Sequence, residues 1–313
     1  MISYLFLIAG LVLLVFSGDV LVKGSVNLAR HFKISSLKIG LTVVAFGTSA
    51  PELFVSVKSA YNGLPDLALG NIVGSNIVNI GLIAGAVALI LPIAVKDKAI
   101  IKDFWVMIFA TLLLLISVAF GKISPFVGIV FILLLLFYIY NLFRFSKEKD
   151  GYKEEILPPE FSMFKSFLYV IFAVVGLYFG AELLIDGAVD IAKKWGVSER
   201  IIGVSLVALG TSLPELITSL VAIYRKENDI SLGNLVGSNI FNIFAVLGAT
   251  SVVSWGIDIT SVSQVVVDIV ISLIFAILLF LFILPVKKGK ISRIEGLILL
   301  SLYVAYMIYL FNN

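Results

Sequence analysis

The chain contains no cysteine and has a single histidine among its 313 residues. Without cysteine there is no disulfide framework, no cysteine-ligated zinc and no thiol nucleophile. The histidine, His31, lies in a polar connection, where we expect a solvated loop residue. Charged residues are also scarce, at 14% of the chain against about 25% in soluble domains. These deficits exclude an ordinary soluble globular protein.

Hydrophobic residues make up 60% of the chain, and its mean hydropathy is +1.12. Apolar runs of about twenty residues, the length that crosses a bilayer core, recur from end to end. We therefore expect an all-α integral membrane protein, multi-pass in the cell membrane, with the lipid bilayer as a partner and no nucleic acid. Ten transmembrane helices are predicted, at residues 2–22, 37–61, 67–91, 101–120, 124–143, 164–186, 200–224, 231–254, 264–284 and 291–311.

The longest polar stretch, "RFSKEKDGYKEEILPPEFS", starts at residue 144 and predicts a cytoplasmic linker over residues 144–163. It separates helices 1–5, in residues 1–143, from helices 6–10, in residues 164–313. If the N-terminus lies outside, the cytoplasmic connections carry 18 lysines and arginines and the outer connections carry four. The positive-inside rule therefore predicts that the N-terminus and the C-terminus both lie outside.

The two halves of the chain repeat each other at an offset of 163 residues. "AFGTSAPE" at residues 45–52 corresponds to "ALGTSLPE" at residues 208–215, and "LGNIVGSNIVN" at 69–79 corresponds to "LGNLVGSNIFN" at 232–242. Each half has five predicted helices, an odd number, so the second copy enters the membrane upside down. Two inverted five-helix repeats are typical of secondary transporters and indicate a site near the membrane midplane.

Each first motif places a glutamate, Glu52 or Glu215, deep within an apolar span. An ionised carboxylate at that depth costs at least ~2.5–3.5 kcal/mol, so we expect it to face a partner or a watery cavity. Helical spacing puts Ala45, Thr48 and Ser49 on the same stripe as Glu52. Pro51 removes a backbone donor and should open the helix, which would free carbonyl groups. The second copy has Ala208, Thr211, Ser212 and Glu215 in the same order.

Each second motif adds a serine and an asparagine four residues apart on one helix face, Ser75 with Asn79 and Ser238 with Asn242. Every candidate ligand atom is oxygen, which suits hard cations such as Ca²⁺. Two glutamates carry a charge of −2, which balances one Ca²⁺. Packing of small residues is the structural alternative for these motifs, and Asn76 with Asn239 would then only bridge helices. Three acids near span ends are interpreted as interface or gating residues: Asp19, Glu182 and Asp186.

With these motifs, the chain resembles the prokaryotic-type Na⁺/Ca²⁺ exchangers of the cation/Ca²⁺ exchanger superfamily. The resemblance implies one central cluster of up to four cation subsites, with spans 1 and 6 sliding across the spans that hold it. It implies no catalysis and no cofactor, only Ca²⁺ and Na⁺ as transported ions. The implied metal ligands are Ala45, Thr48, Ser49, Glu52, Ser75, Asn79, Ala208, Thr211, Ser212, Glu215, Ser238 and Asn242. One departure is Asn242, where archaeal exchangers carry an aspartate.

The function predicted from the sequence is secondary active antiport of Na⁺ for Ca²⁺ by alternating access at a midplane oxygen-ligand site. An H⁺/Ca²⁺ or K⁺-dependent exchanger of the same superfamily is the alternative, and a cation channel is a weaker one. An intramembrane hydrolase is rejected because Ser49 and Ser212 have no nearby base except glutamate. The oligomeric state, the direction of transport and the coupling ratio remain open at this point.

Overall fold

The computed structural model describes residues 2–95, 97, 99–144, 158–194, 208–284 and 289–312. This part of the chain is a bundle of helices with two very short β-ribbons. The helices are α1 (Ile2–Phe32), α2 (Ser36–Thr48), α3 (Ala50–Tyr61), α4 (Pro65–Ile90), α5 (Ile100–Ala119), α6 (Pro125–Arg144), α7 (Met163–Lys194), α8 (Ala208–Thr211), α9 (Leu213–Tyr224), α10 (Asn228–Val253), α11 (Val262–Ile283) and α12 (Arg293–Asn312).

Eight of the described helices are long and apolar enough to cross a membrane. The α2 and α3 pair qualifies as a ninth span, bent by 44° at its centre. A multi-pass helical membrane protein is therefore confirmed. The predicted seventh span began at residue 200, and residues 200–207 lie outside the described residues, so only its α8 and α9 portion is seen. Most of the predicted linker, residues 145–157, lies outside them too.

Two helices are much longer than the apolar runs that predicted them. α1 has 31 residues and α7 has 32, against predicted spans of 2–22 and 164–186. The predicted spans end where the apolar run ends. A helix can continue through polar residues until a change in backbone conformation ends it. In α1 the end is Lys33, which has a left-handed backbone with φ of 54°. At 1.5 Å per residue α1 is about 46 Å long, more than a bilayer core of about 30 Å.

The extra length of α1 also corrects the prediction for His31. This residue lies in the last turn of α1 rather than in a loop. Its side chain is half-buried, and its Nε2 atom lies 2.8 Å from the carbonyl oxygen of Phe161. The solvated loop residue expected from the sequence is therefore wrong, because the helix carries the imidazole into the contact with the segment that precedes α7.

α1 and α7 pack along each other in the most extensive helix–helix contact of the described structure. Their backbones approach closely where Gly10 faces Gly180. A Cβ atom on Gly10 would lie 2.7 Å from the carbonyl oxygen of Gly180, so only glycine fits there. Small residues permit this kind of close approach in membranes. The two helices therefore form one tightly joined pair.

The centre of the bundle is formed by α4 and α10. In each of them 78% of the most apolar stretch is buried within the protein, against 22% in α6, α7 and α12. α10 packs directly on α2, since a Cβ on Gly237 would lie 2.8 Å from the carbonyl oxygen of Leu41.

Irregular backbone interrupts the central helices at the repeated motifs. π-helical turns cover Gly40–Val44, Val78–Ala84 and Asn242–Leu247, the second and third of which include the motif asparagines. Such turns in the middle of a helix occur frequently at functional sites. The break predicted at Pro51 is present and lies at Ser49, where φ is −81° and ψ is 6°. Two antiparallel ribbons, Ile93–Ala94 with Lys290–Ile291 and Lys122–Ile123 with Ile257–Asp258, connect the two halves.

Candidate cation-binding site

Two glutamates occupy the interior of the bundle. Glu52 and Glu215 have 0% of their surface exposed, and each lies in the first turn of a helix, α3 or α9. A proline at the second position of each helix, Pro51 or Pro214, accounts for the helix starting there. The positive end of a helix dipole stabilises a carboxylate in its first turn by roughly 0.3–1 kcal/mol. The broken spans therefore place both acids where negative charge is best tolerated.

Serine hydroxyls from the opposite half of the chain contact each carboxylate. Ser212 Oγ donates to Glu52 Oε1 over 3.2 Å, and Ser49 Oγ donates to Glu215 Oε1 over 3.2 Å. The crossed pair of hydrogen bonds brings the two GTS-x-PE motifs to one place. The two contacts correspond to each other at the 163-residue offset, which pairs Ser49 with Ser212 and Glu52 with Glu215. The two halves therefore contribute equivalently to a shared site.

The second motifs supply the next contact of each glutamate. Ser75 Oγ donates to Glu52 Oε1 over 3.3 Å, and Ser238 Oγ donates to Glu215 Oε1 over 3.4 Å. Both serines are buried, as are the asparagines Asn79 and Asn242, which have 0% exposure. α4 and α10 thus form the second wall of the site, as the spacing of the motifs predicted.

Several buried oxygens in this site have no hydrogen-bond donor. Among the described residues, the side-chain atoms without a partner include Glu52 Oε2, Glu215 Oε2, both amide atoms of Asn79 and Asn242 Oδ1. Buried polar atoms are nearly always paired, and leaving one unpaired costs about 1–3 kcal/mol. A carboxylate oxygen that lacks a donor has the electron pairs that a cation needs. The described residues include no cluster of three or more acidic or imidazole side chains, so the other ligands here would be neutral oxygens.

The two motif asparagines differ in their partners although their positions correspond. Asn242 Nδ2 donates to Asn76 Oδ1 over 3.1 Å, which leaves the Asn242 oxygen free. Asn76 Nδ2 in turn donates to the backbone carbonyl of Asn239 over 3.4 Å. Asn76 therefore bridges α4 and α10, the structural role that the sequence allowed. Asn79 has no such contact, so the site is asymmetric at this point.

The backbone carbonyls before the two helix breaks have different partners. The carbonyl of Ala45 accepts the backbone N–H of Ser49 over 3.0 Å and lies 3.3 Å from Thr48 Oγ1. In the other half the N–H of Ser212 donates to the carbonyl of Leu209 over 3.2 Å. The side chain of Ala208 lies outside the described residues, and its backbone belongs to α8.

Two further asparagines in the site, Asn71 and Asn234, were missed from the sequence. Thr48 Oγ1 donates to Asn234 Oδ1 over 3.0 Å, and Thr211 Oγ1 donates to Asn71 Oδ1 over 3.3 Å. A signal was available, because each asparagine precedes the motif serine by four residues in both copies. That spacing puts it on the same helix face as the serine.

The sequence profile of the family described as sodium/calcium exchanger protein matches residues 2–144 and 165–312. The chain belongs to this family. The exchanger is 37% identical to the membrane protein MJ0091 of Methanocaldococcus jannaschii, over 96% of this chain and 95% of that one. It is 31% identical to the sodium/calcium exchanger MaX1 of Methanosarcina acetivorans, over 99% of both chains.

Solved structures give the same assignment. The exchanger superimposes on the sodium-calcium exchanger NCX_Mj with a TM-score of 0.84 and 34% identity, over 98% of each chain. The resemblance inferred from the motifs is confirmed. The protein is a cation/Ca²⁺ antiporter of the membrane and not an enzyme.

Proposed function

We propose that this exchanger couples the movement of Ca²⁺ to an opposing movement of Na⁺, and that both ions bind between Glu52 and Glu215. The observation that carries the proposal is the pair of fully buried carboxylates, each with one oxygen held by serines and one without a donor. The proposed ligands are the twelve residues named from the motifs. Hard cations are suited to this set because carboxylate, hydroxyl, amide and carbonyl oxygens are its only ligand atoms.

Charge explains why the two ions would exclude each other. With both glutamates ionised the site has a charge of −2, which one Ca²⁺ or two Na⁺ neutralise equally. Binding Ca²⁺ to a site already filled by Na⁺ would leave an uncompensated positive charge in a water-poor interior, which is strongly unfavourable. Competition at one site, followed by exposure to the other side of the membrane, is sufficient for exchange.

The proposed access mechanism uses ten spans in two inverted repeats, with both termini outside. The reciprocal hydrogen bonds at the 163-residue offset support the repeat, and the odd number of spans per half supports its inversion. α1 contacts α9 extensively, whereas the corresponding contact of α7 with α3 is small. The α1–α7 pair is thus displaced towards one half. Sliding of this pair towards the other half would exchange the two contacts and open the site to the opposite side.

Transport by purified protein in liposomes tests the proposal. Vesicles loaded with Na⁺ should take up Ca²⁺, and Glu52→Gln and Glu215→Gln should each abolish uptake because they remove half of the site's charge. Glu160→Gln is the matched control, since Glu160 is an exposed acid paired with Arg30. Uptake that follows a pH gradient and ignores Na⁺ would indicate H⁺/Ca²⁺ exchange instead. Uptake that needs no counter-ion would indicate a channel.

A further inference from the structure

We propose that Asn71 and Asn234 are positioning residues that direct the hydroxyl protons of Thr211 and Thr48 away from the transported cation. The inference rests on the proposed function of the site. Neither asparagine is among the twelve proposed ligands. Each would act through a threonine of the opposite half of the chain.

The two asparagines have the same set of contacts. Asn71 Nδ2 donates to Ser56 Oγ over 2.9 Å and to the backbone carbonyl of Glu52 over 3.4 Å. Asn234 Nδ2 donates to Ser219 Oγ over 3.1 Å and to the backbone carbonyl of Glu215 over 3.4 Å. Both side chains are buried. Since the nitrogen of each amide is committed to its own half, the oxygen must point towards the other half.

The oxygen of each amide receives a threonine hydroxyl. Of the three partners within hydrogen-bond distance of Thr48 Oγ1, Asn234 Oδ1 lies at 3.0 Å, whereas the carbonyl of Ala45 and the hydroxyl of Ser238 lie at 3.3 Å. Asn71 Oδ1 accepts from Thr211 at 3.3 Å. Both threonines are buried next to the glutamates in sequence and in space. The bond to Asn234 is therefore the main constraint on the orientation of the Thr48 hydroxyl, and Asn71 is the corresponding acceptor for Thr211.

A hydroxyl group has one proton and two lone pairs, so its direction decides whether it attracts or repels a cation. When the proton points to an asparagine oxygen, both lone pairs remain available to a metal ion. Ser49 and Ser212 already donate to Oε1 of the two glutamates, so that only the Oε2 atoms lack a donor. Without the asparagine, a buried threonine would donate to the nearest carboxylate or carbonyl, which would occupy an oxygen that the cation needs. Such preorganisation lowers the free energy that binding must spend on reorienting dipoles.

A purely structural role would predict a different result. If the asparagines only hold α4 and α10 against the broken helices, removing one would lower stability without a specific link to the threonine hydroxyl. If they act through the hydroxyl, the effects of removing the asparagine and of removing the hydroxyl must overlap. A double-mutant cycle measures that overlap directly.

The experiment is calorimetric titration of the purified full-length exchanger with Ca²⁺ in a Na⁺-free buffer. We expect Asn71→Leu and Asn234→Leu each to raise the Kd by about tenfold, equivalent to about 1.4 kcal/mol. Thr211→Val should have a similar effect, and the Asn71→Leu/Thr211→Val double variant should bind no more weakly than the weaker single variant. Asn141→Leu is the matched control, because the hydrogen bond that Asn141 donates, to the carbonyl of Phe137, lies within its own helix.

A milder variant keeps the test decisive if a leucine variant does not fold. Ser56→Ala removes only the hydroxyl that accepts from Asn71 and is expected to raise the Kd about threefold, an effect that should vanish in the Thr211→Val background. A Kd within twofold of the wild type for the folded leucine variants, or for Ser56→Ala, would overturn the inference. Full additivity with Thr211→Val would do the same. Failure of the proposed function is a separate outcome, in which the wild type binds no Ca²⁺ or Glu52→Gln binds it normally.

Discussion

Replacement of Asp19 by asparagine should shift the balance between the two access states of the exchanger. Asp19 on α1 accepts hydrogen bonds from Arg225 at the end of α9, with Nε at 2.5 Å, and from Lys23 at 2.8 Å. The sequence indicated an interface or gating role for Asp19, and the structure supplies its partner in the other half. The 163-residue offset pairs Asp19 with Glu182 and Arg225 with Asn62. The corresponding contact in the opposite state would therefore lack a cation.

The size of the shift follows from the exposure of the ion pair. The side chains of Arg225 and Asp19 are 35% and 29% exposed, so solvent screens their attraction. Partly exposed pairs contribute roughly 0.5–1 kcal/mol, which corresponds to a two- to fivefold change in the ratio of the two states. Because apparent affinity scales with the fraction of protein in the competent state, the half-saturating Ca²⁺ concentration should change on both faces of the membrane.

The assay measures Ca²⁺ exchange in two sets of vesicles, which present opposite faces of the exchanger to the external solution. For Asp19→Asn the half-saturating Ca²⁺ concentration should fall on one face and rise on the other, by about two- to fivefold in total. Asp190→Asn is the matched control. Asp190 is bound by Ser3 and Lys194, so it links α1 to α7 and moves with the pair. Changes in the same direction on both faces, or a change equal to that of the control, would refute the reasoning.

Further predictions concern the asymmetry of the site and the helix contacts. Asn242→Asp adds a third carboxylate, so the half-saturating Na⁺ concentration for Ca²⁺ uptake should fall and uptake should become more sensitive to acid. An unchanged Na⁺ dependence at several pH values would show that residue 242 does not contact the ions. Gly10→Ala should lower thermal stability in detergent, by about 1–3 kcal/mol, because its Cβ would meet the carbonyl of Gly180. An unchanged melting temperature for folded Gly10→Ala would contradict this account.

The general organisation of the protein could be predicted from the sequence because the membrane imposes it. Apolar runs and one repeated motif pair predicted the broken span at Pro51 and a buried site to which both halves contribute. These predictions depend on local rules, namely the missing donor of proline and the cost of a buried acid. The ligand roles of the twelve residues remain a prediction, although the described side chains of both motif pairs do lie together.

Other features depend on tertiary contacts that no local rule describes. Hydropathy does not predict the extension of α1 beyond residue 22, because the residues there are polar and lie outside the apolar run. Packing against α7 stabilises them in the helix. Asn71 was overlooked because an asparagine at that spacing is equally compatible with helix packing. Its partner Thr211 lies 140 residues away.

Diffraction from crystals grown with Ca²⁺ and without Na⁺ would test the central claim most directly. The account predicts one strong anomalous peak that has oxygens of both Glu52 and Glu215 within about 2.3–2.6 Å. A peak elsewhere in the bundle, with the two carboxylates turned away from each other and bound only to protein donors, would contradict it.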